Sequence, residues 1–156
     1  MTAVSSRVAP PKTTALLREL MANPGVIDCP SIYDPISARI AESLGFQCVS
    51  LEGSALGIAT CQVEAALSLE DFAKAVRSIT AVINIPLIVD AGGGFGEPAH
   101  VFNSIRVLEH AGAAGVHIED QIFPKRCHYF KDSRVDVIPA EMMVENVRIA
   151  IEARRD

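Results

Sequence analysis

Two carboxylates stand at the ends of apolar runs. Asp90 comes at the end of IPLIVDA (85–91), and Glu119 near the end of GVHIED (115–120). If both runs are strands and neighbours, two acidic groups meet at one rim. Like charges brought together in a cleft repel unless a cation or a proton is shared. Hard oxygen ligands in a cleft open to water suit Mg2+, which binds few carboxylates and keeps several waters. The plainer alternative is that each carboxylate caps the loop after it or pairs with a surface lysine. A second cluster, PKRCHY (124–129), follows closely. Lys125 and Arg126 adjoin Cys127, and nearby cations together with His128 lower a thiol's pKa and raise its thiolate fraction. Such a thiol can give or take a proton near a carboxylate substrate. A solvated basic loop with an incidental cysteine is the alternative. His117 reads as a packed, hydrogen-bonded strand residue, and His100 and His110 as surface groups of a helix. The segment GGGFG (92–96) lets backbone approach another group closely or take positive φ. As a dinucleotide loop it is a weak match, since G-x-G-x-x-G is not strictly present and Asp90 would repel a pyrophosphate. A tight turn between strand and helix is the simpler reading.

These residues need elements to hold them, and the chain alternates in a way that supplies them. A tail covers 1–12, and a short helix over 13–22 is stopped by Asn23-Pro24-Gly25. VIDC (26–29) is the first predicted strand. Asp34-Pro35 opens a helix with Asp as N-cap and Pro at the first helical position. Ile36, Ile40 and Leu44 fall on one face of it, and Gly45 stops it. FQCVSL (46–51) is the second strand, followed by a loop over 52–68. The next helix spans 69–82, with Ser68 and Asp71 forming a capping box. Residues 85–91 form the third strand, a run apolar enough to be covered on both faces. A helix over 99–111 turns Val101, Ile105 and Leu108 inward before Gly112. Residues 115–120 form the fourth strand and 121–139 a long loop. A last helix spans 139–154, with Val144, Val147 and Ile151 on one side. Four βα units without a hairpin signal predict an α/β fold with a parallel sheet and right-handed crossovers. The periodicity alone leaves a doubly wound sheet and half of a (β/α)8 barrel both open. Either architecture puts its working loops at the carboxyl ends of the strands.

Composition narrows the function. The chain has 156 residues, with 14 Lys+Arg against 19 Asp+Glu and a net charge of −5. That length fits one domain with a real core. The acidic balance argues against a nucleic-acid binder or a membrane-surface protein, which need a basic face. No apolar run approaches the roughly 20 residues that span a bilayer. Four cysteines without a C-x-x-C pair point to a reducing compartment, and the N-terminus has no apolar core of a secretory signal. A cytoplasmic protein is the expectation.

VDAGGGFG, GAAGVHIEDQIFPKRC and IPAEMMVENVRIAIEARRD resemble the isocitrate lyase/phosphoenolpyruvate mutase superfamily, over about Gly25 to Asp156. The specific part is H-I-E-D-Q followed closely by K-R-C. The resemblance implies a (β/α)8 barrel of the TIM type, with about its first four βα units in residues 13–156. It implies a tetrameric enzyme that binds Mg2+ and a 2-oxo or 2-hydroxy dicarboxylate. Members cleave or form C–C or C–P bonds next to a carboxylate. Asp90 matches the first Asp of the family's D-A-D-x-G-x-G metal loop, and Glu119 the Glu of its H-I-E-D-Q strand. Cys127 matches the cysteine of the K-[KR]-C-G-H loop, the acid/base of the lyase branch, with Lys125 and Arg126 beside it. Arg126 is also suited to grip a substrate carboxylate by a bidentate pair. Ser50 and Gly53 fall near the substrate-contacting S-G segment, with Leu51-Glu52 between them, and His117 is taken as a further substrate contact.

The departures from the pattern are specific. Gly92 stands where the metal loop has its second Asp. The acidic residue of the family's G-x-P-D segment has no clean match, and Glu64 is the nearest substitute. The Gly between Cys and His is missing. Relatives are nearly twice as long, so this chain is expected to be part of a longer product, the alternative being two halves that pair. The expected activity is Mg2+-dependent cleavage of a C–C bond through an enolate that Cys127 protonates. A phosphonomutase, an oxaloacetate-type decarboxylase and a non-catalytic truncated barrel are the alternatives.

Overall fold

The computed structural model describes residues 12–126 and 131–156. Residues 1–11 of the expected tail and the loop residues 127–130, Cys127 among them, lie outside the described residues. Strands β1 (Ser31–Ile32), β2 (Val49–Leu51), β3 (Leu87–Asp90) and β4 (Gly115–His117) form one sheet in the order of the sequence. All neighbours are parallel, with Ser31 beside Ser50, Leu51 beside Val89, and Asp90 beside His117. The order never reverses, so the switch point of a doubly wound sheet is absent here. Sequential parallel strands, each followed by helix, make one half of a (β/α)8 barrel.

Helices α1 (Thr13–Ala22), α2 (Pro35–Ser43), α3 (Gly53–Thr60), α4 (Leu69–Thr80), α5 (Pro98–Ala111) and α6 (Ala140–Ala153) complete the described elements. The Asp34 N-cap and the Ser68–Asp71 capping box form as expected, and Ser37 completes a second box with Asp34. Ser37 N donates to Asp34 Oδ1 at 2.7 Å, and Ser68 N donates to Asp71 Oδ2 at 2.8 Å. The core lies between strands and helices: Val49, Leu51, Leu87 and Val89 pack with Ala73, Val76 and Ile79 of α4 and Leu108 of α5. Val101, Ile105 and Leu108 of α5 are buried, as their spacing demands.

Several expectations need correction. Residues 26–29 form no strand, and Val26 is 94% exposed. Pairing begins only where Pro30 O accepts from Ser50 N at 3.0 Å, because β1 has a neighbour on one side alone and apolar character by itself makes no ladder. The expected loop 52–68 contains α3 and a 3-10 turn, Glu64–Ala66. Gly53, Gly57 and Thr60 give α3 low intrinsic propensity, so the burial of Leu56 rather than local preference holds it. The apolar stripes of α2 and α6 point away from the core, and Ala38, Ala41, Asn146 and Ala153 are buried instead. The long loop carries one antiparallel bridge, Gln121 with Val137. Among the described residues no helix is long and apolar enough to cross a membrane.

Candidate functional site

The carboxyl ends of β2, β3 and β4 bring the chemistry together. Asp90 is the last residue of β3, and two backbone amides face its carboxylate: Gly92 N at 2.8 Å from Oδ1 and Gly53 N at 3.5 Å from Oδ2. Glu119 follows β4, and its amide donates to Gly92 O at 2.9 Å, which ties the two rim segments to each other. Lys125 reaches back from the next loop. Its Nζ lies 2.5 Å from Glu64 Oε1 and 3.1 Å from Glu119 Oε1. The Lys125 side chain is 22% exposed and that of Glu64 12%, so this pair is largely withdrawn from water. Burial opposes the charge on Lys125. The hydrogen bond to Glu64 and the two carboxylate charges outweigh it and hold the ammonium above the ordinary lysine range. A cavity of about 50 Å3 sits here, lined by Glu64, Phe72, Asp90, Gly92, Phe95 and Lys125 among others.

The glycine loop is shaped by packing rather than by a phosphate pattern. Gly94 has φ +81°, and a Cβ there would meet Val101 Cγ2 at 2.6 Å. Phe95 holds φ 64°, an uncommon conformation for a bulky residue, while its ring packs edge-on against Phe72 at 5.6 Å. Buried Ser104 of α5 hydrogen-bonds Gly94 O at 3.0 Å. The tight-turn reading of this loop therefore accounts for its glycines.

The other candidates are placed less centrally. Gly53 is buried at the start of α3, and a Cβ on it would lie 2.8 Å from Glu64 Oε1, so its lack of a side chain lets Glu64 approach. Ser50 is buried in β2 and donates to Glu52 rather than to the acidic pair. Arg126 is exposed, with Nη1 3.5 Å from Asp136 Oδ2, and so turns toward the returning loop. His117 is exposed, which corrects the packed reading: β4 is an outer strand of the described sheet and has no neighbour to cover it. His100 and His110 are exposed, as expected. The Cys127 assignment lies outside the described residues. Sequence reasoning did not foresee that Lys125 would sit between two acids, nor that Phe95 would lock the loop. The G-S-A-L spacing at 53–56 was the available signal for the first, since a glycine at a helix start marks close approach.

These residues can be tested for fit to a divalent cation. Among the described residues no group of three or more His, Cys, Asp and Glu forms a ready metal cluster. Glu119 Oε1 is ion-paired with the Lys125 ammonium at 3.1 Å, on a side chain that is 37% exposed. A Cβ on Gly92 would stand 3.8 Å from that oxygen, so the space left by the missing acidic side chain opens onto it. A hard, oxygen-only donor set from Asp90 and Glu119, with the space above Gly92 open beside it, fits Mg2+.

Comparison with known proteins adds to this geometry. The family model described as phosphoenolpyruvate phosphomutase matches residues 17–156. The 2-methylisocitrate lyase of Aeropyrum pernix is 38% identical over 142 residues, covering 90% of this chain and 46% of that protein. The oxaloacetate decarboxylase of Pseudomonas fluorescens is 38% identical over 144 residues, covering 89% and 48%. The crystal structure of a phosphonopyruvate hydrolase in complex with oxalate and Mg2+ aligns with a TM-score of 0.84 at 26% identity, over 93% of this chain and 49% of that one. The chain spans about half the length of the curated relatives it matches.

Proposed function

Because the chain belongs to the phosphoenolpyruvate phosphomutase family, we propose that it is the half-barrel carrying the metal and acid/base residues of a Mg2+-dependent carbon–carbon lyase. Its substrate class is a 2-hydroxy or 2-oxo dicarboxylate. The observation that carries this reading is the pair of carboxylates on adjoining strands, Asp90 ending β3 and Glu119 following β4, with the Glu119 amide tied to Gly92 O. The likeness to a 2-methylisocitrate lyase and an oxaloacetate decarboxylase supports it, because breaking the C–C bond of either substrate leaves negative charge on a carbon that an adjacent carbonyl or carboxylate takes up as an enolate.

Asp90 and Glu119 would hold the cation, and Mg2+ bound there would supply a Lewis acid for the charge that develops on the substrate. Lys125, kept charged by Glu64 and Glu119, offers an ammonium to the negative charge that develops when the bond breaks. Cys127 gives its proton to the enolate carbon, or removes one in the reverse direction, and Arg126 leaves Asp136 to hold a substrate carboxylate. Ser50, Gly53 and His117 are the proposed substrate contacts. Glu64 takes the place of the missing acidic residue by anchoring Lys125. A cytoplasmic homo-oligomer, tetrameric as the family resemblance implies, belongs to the same reading, and the free thiols Cys29, Cys48 and Cys61 suit a reducing compartment. Decarboxylation of an oxaloacetate-like acid is the second reading, favoured by the equal identity to that relative.

Calorimetric titration with oxalate tests the proposal. Oxalate is expected to bind only when Mg2+ is present, and Asp90→Asn and Glu119→Gln should each abolish that binding. Absence of Mg2+-dependent oxalate binding would point instead to a non-catalytic half-barrel. Product analysis with 2-methylisocitrate, 2,3-dimethylmalate, oxaloacetate and phosphonopyruvate then separates lyase, decarboxylase and mutase.

A further inference from the structure

Two thiols that the proposed mechanism leaves unused meet where the seam between β1 and β2 begins. Ser31 of β1 stands beside Ser50 of β2. Carried two residues back along each segment, the same register sets Cys29 beside Cys48, on the face of the sheet that carries the two serines. The side chains are in contact there. The Cys29 and Cys48 thiols hydrogen-bond each other. Cys48 Sγ also lies 3.8 Å from Asp28 O, the carbonyl joined to the Cys29 amide. Cys48 is fully buried, Cys29 is half-buried, and both are free thiols. The seam lies inside the described sheet, and Ser50 N donates to Pro30 O at 3.0 Å next to the pair. Neighbouring strands run about 4.8 Å apart, within the Cα separation of about 4.4–6.8 Å that a disulfide bridges. Cys29 comes just before Pro30, where the pairing begins, so its backbone can adjust to the bond without breaking the ladder.

We propose that Cys29 and Cys48 are an oxidation site, which closes to an intramolecular disulfide and staples the segment before β1 to β2. The oxidant is a small disulfide such as oxidised glutathione. The half-buried Cys29 sulfur, as thiolate, attacks one sulfur of the oxidant, and one glutathione thiolate leaves. The Cys48 sulfur, already in contact, then attacks the Cys29 sulfur and expels the second glutathione. Each departing thiolate takes up a proton equal to the one its attacker released. Two protein S–H bonds are lost, two glutathione S–H bonds are made, and the oxidant's S–S bond is exchanged for the one between Cys29 and Cys48. The first step is slow, because burial, the Cys48 thiol and the charge of Glu52 hold the Cys29 thiol well above the ordinary range. The second is fast, because the partner sulfur is in place. The pair therefore answers sustained oxidation, and exposed Cys61 takes up oxidant before it. Closing the loop over residues 30–47 removes freedom from the unfolded chain, so the oxidised form is the more stable one. The inference is independent of the catalytic reading, since neither thiol belongs to the Asp90–Glu119 rim.

Peptide mapping of the purified chain reads the outcome. The reduced protein is held for hours with oxidised glutathione at pH 8, then digested with trypsin and a glutamyl endopeptidase. Cleavage after Glu52 separates Cys48 from Cys61. Mass spectrometry is expected to find a linked pair of peptides carrying Cys29 and Cys48, which dithiothreitol splits again, and which forms later than the glutathione adduct of Cys61. The urea midpoint of the oxidised chain should lie above that of the reduced chain. Cys29→Ser, its fold checked by circular dichroism, should lose that rise while still taking glutathione on Cys61. Cys61 carrying glutathione with no linked pair overturns the proposal. So does Cys29 linked to another cysteine or across two chains, and so does a linked pair whose midpoint is unchanged or lower. The mapping uses the native sequence, so it decides the matter even where the variant fails to fold.

Discussion

Lys125 is the residue on which the candidate site turns, since its ammonium bridges carboxylates from two distant parts of the chain, Glu64 and Glu119. Its pKa is raised on folding, so its contribution to stability is complete below the unfolded value of about 10.4 and is lost as pH rises through the folded value. The stability difference between the native chain and Lys125→Met, measured by urea unfolding, should be constant from pH 6 to 9 and shrink in strong alkali. Gly92 is the complementary position. Gly92→Asp, with φ +50° tolerable for Asp, puts a carboxylate beside Glu119 and should tighten Mg2+ binding about tenfold by calorimetry, or ~1.4 kcal/mol. The cysteines divide by environment. Burial, the neighbouring Cys48 thiol and the charge of Glu52 push the Cys29 thiol up to about 12, and Cys48 is fully buried, whereas Cys61 is exposed. Peptide mapping after brief iodoacetamide treatment at pH 8 should find Cys61 modified well before Cys29 or Cys48. At this scale the sequence displayed Asp90, Glu119 and Lys125 by type and motif. It did not display that Arg126 turns to Asp136 or that Ser50 turns to Glu52, because those choices depend on which partner tertiary folding brings near.

At the scale of elements, local signals worked where they were strong. The Asp34 N-cap, the Ser68–Asp71 capping box and the buried face of α5 follow from spacing alone. Asp34→Ala and Ser68→Ala should each cost about 1 kcal/mol in urea unfolding at pH 7. The backbone amide and hydroxyl of Ser37 hold the Asp34 carboxyl below the usual range, so its contribution is present above about pH 3.9 and lost on acidification. The deficit of Asp34→Ala should accordingly close as pH falls further. The helix α3 escaped notice because two glycines and a threonine weaken its pattern, although Gly53 serves a structural need. Gly53→Ala, with a Cβ 2.8 Å from Glu64 Oε1, should displace that carboxylate from Lys125 and lower the urea midpoint. In α2 and α6 the apolar period was legible, but the side it faces was not. Periodicity reports that a helix has an apolar stripe and says nothing of whether the sheet or a missing neighbour covers it.

The described residues form a half-barrel in which the first helix is tied to the last. Asp156 pairs with Lys12 at 3.2 Å and Arg18 at 3.1 Å, and Glu109 accepts from Arg155 N at 2.9 Å, which fastens the end of α6 to α1 and α5. The described sheet ends at β1 on one side and β4 on the other. The sequence by itself determined the α/β class, the four βα repeats, the helix caps and the acidic residues at the rim, because each is written in local spacing and residue type. Only the tertiary structure decided that the strands run in unreversed order, that Lys125 sits between Glu64 and Glu119, and that the stripes of α2 and α6 are left uncovered. These are properties of segments far apart along the chain, and their meeting depends on how the sheet twists and which edges it leaves free.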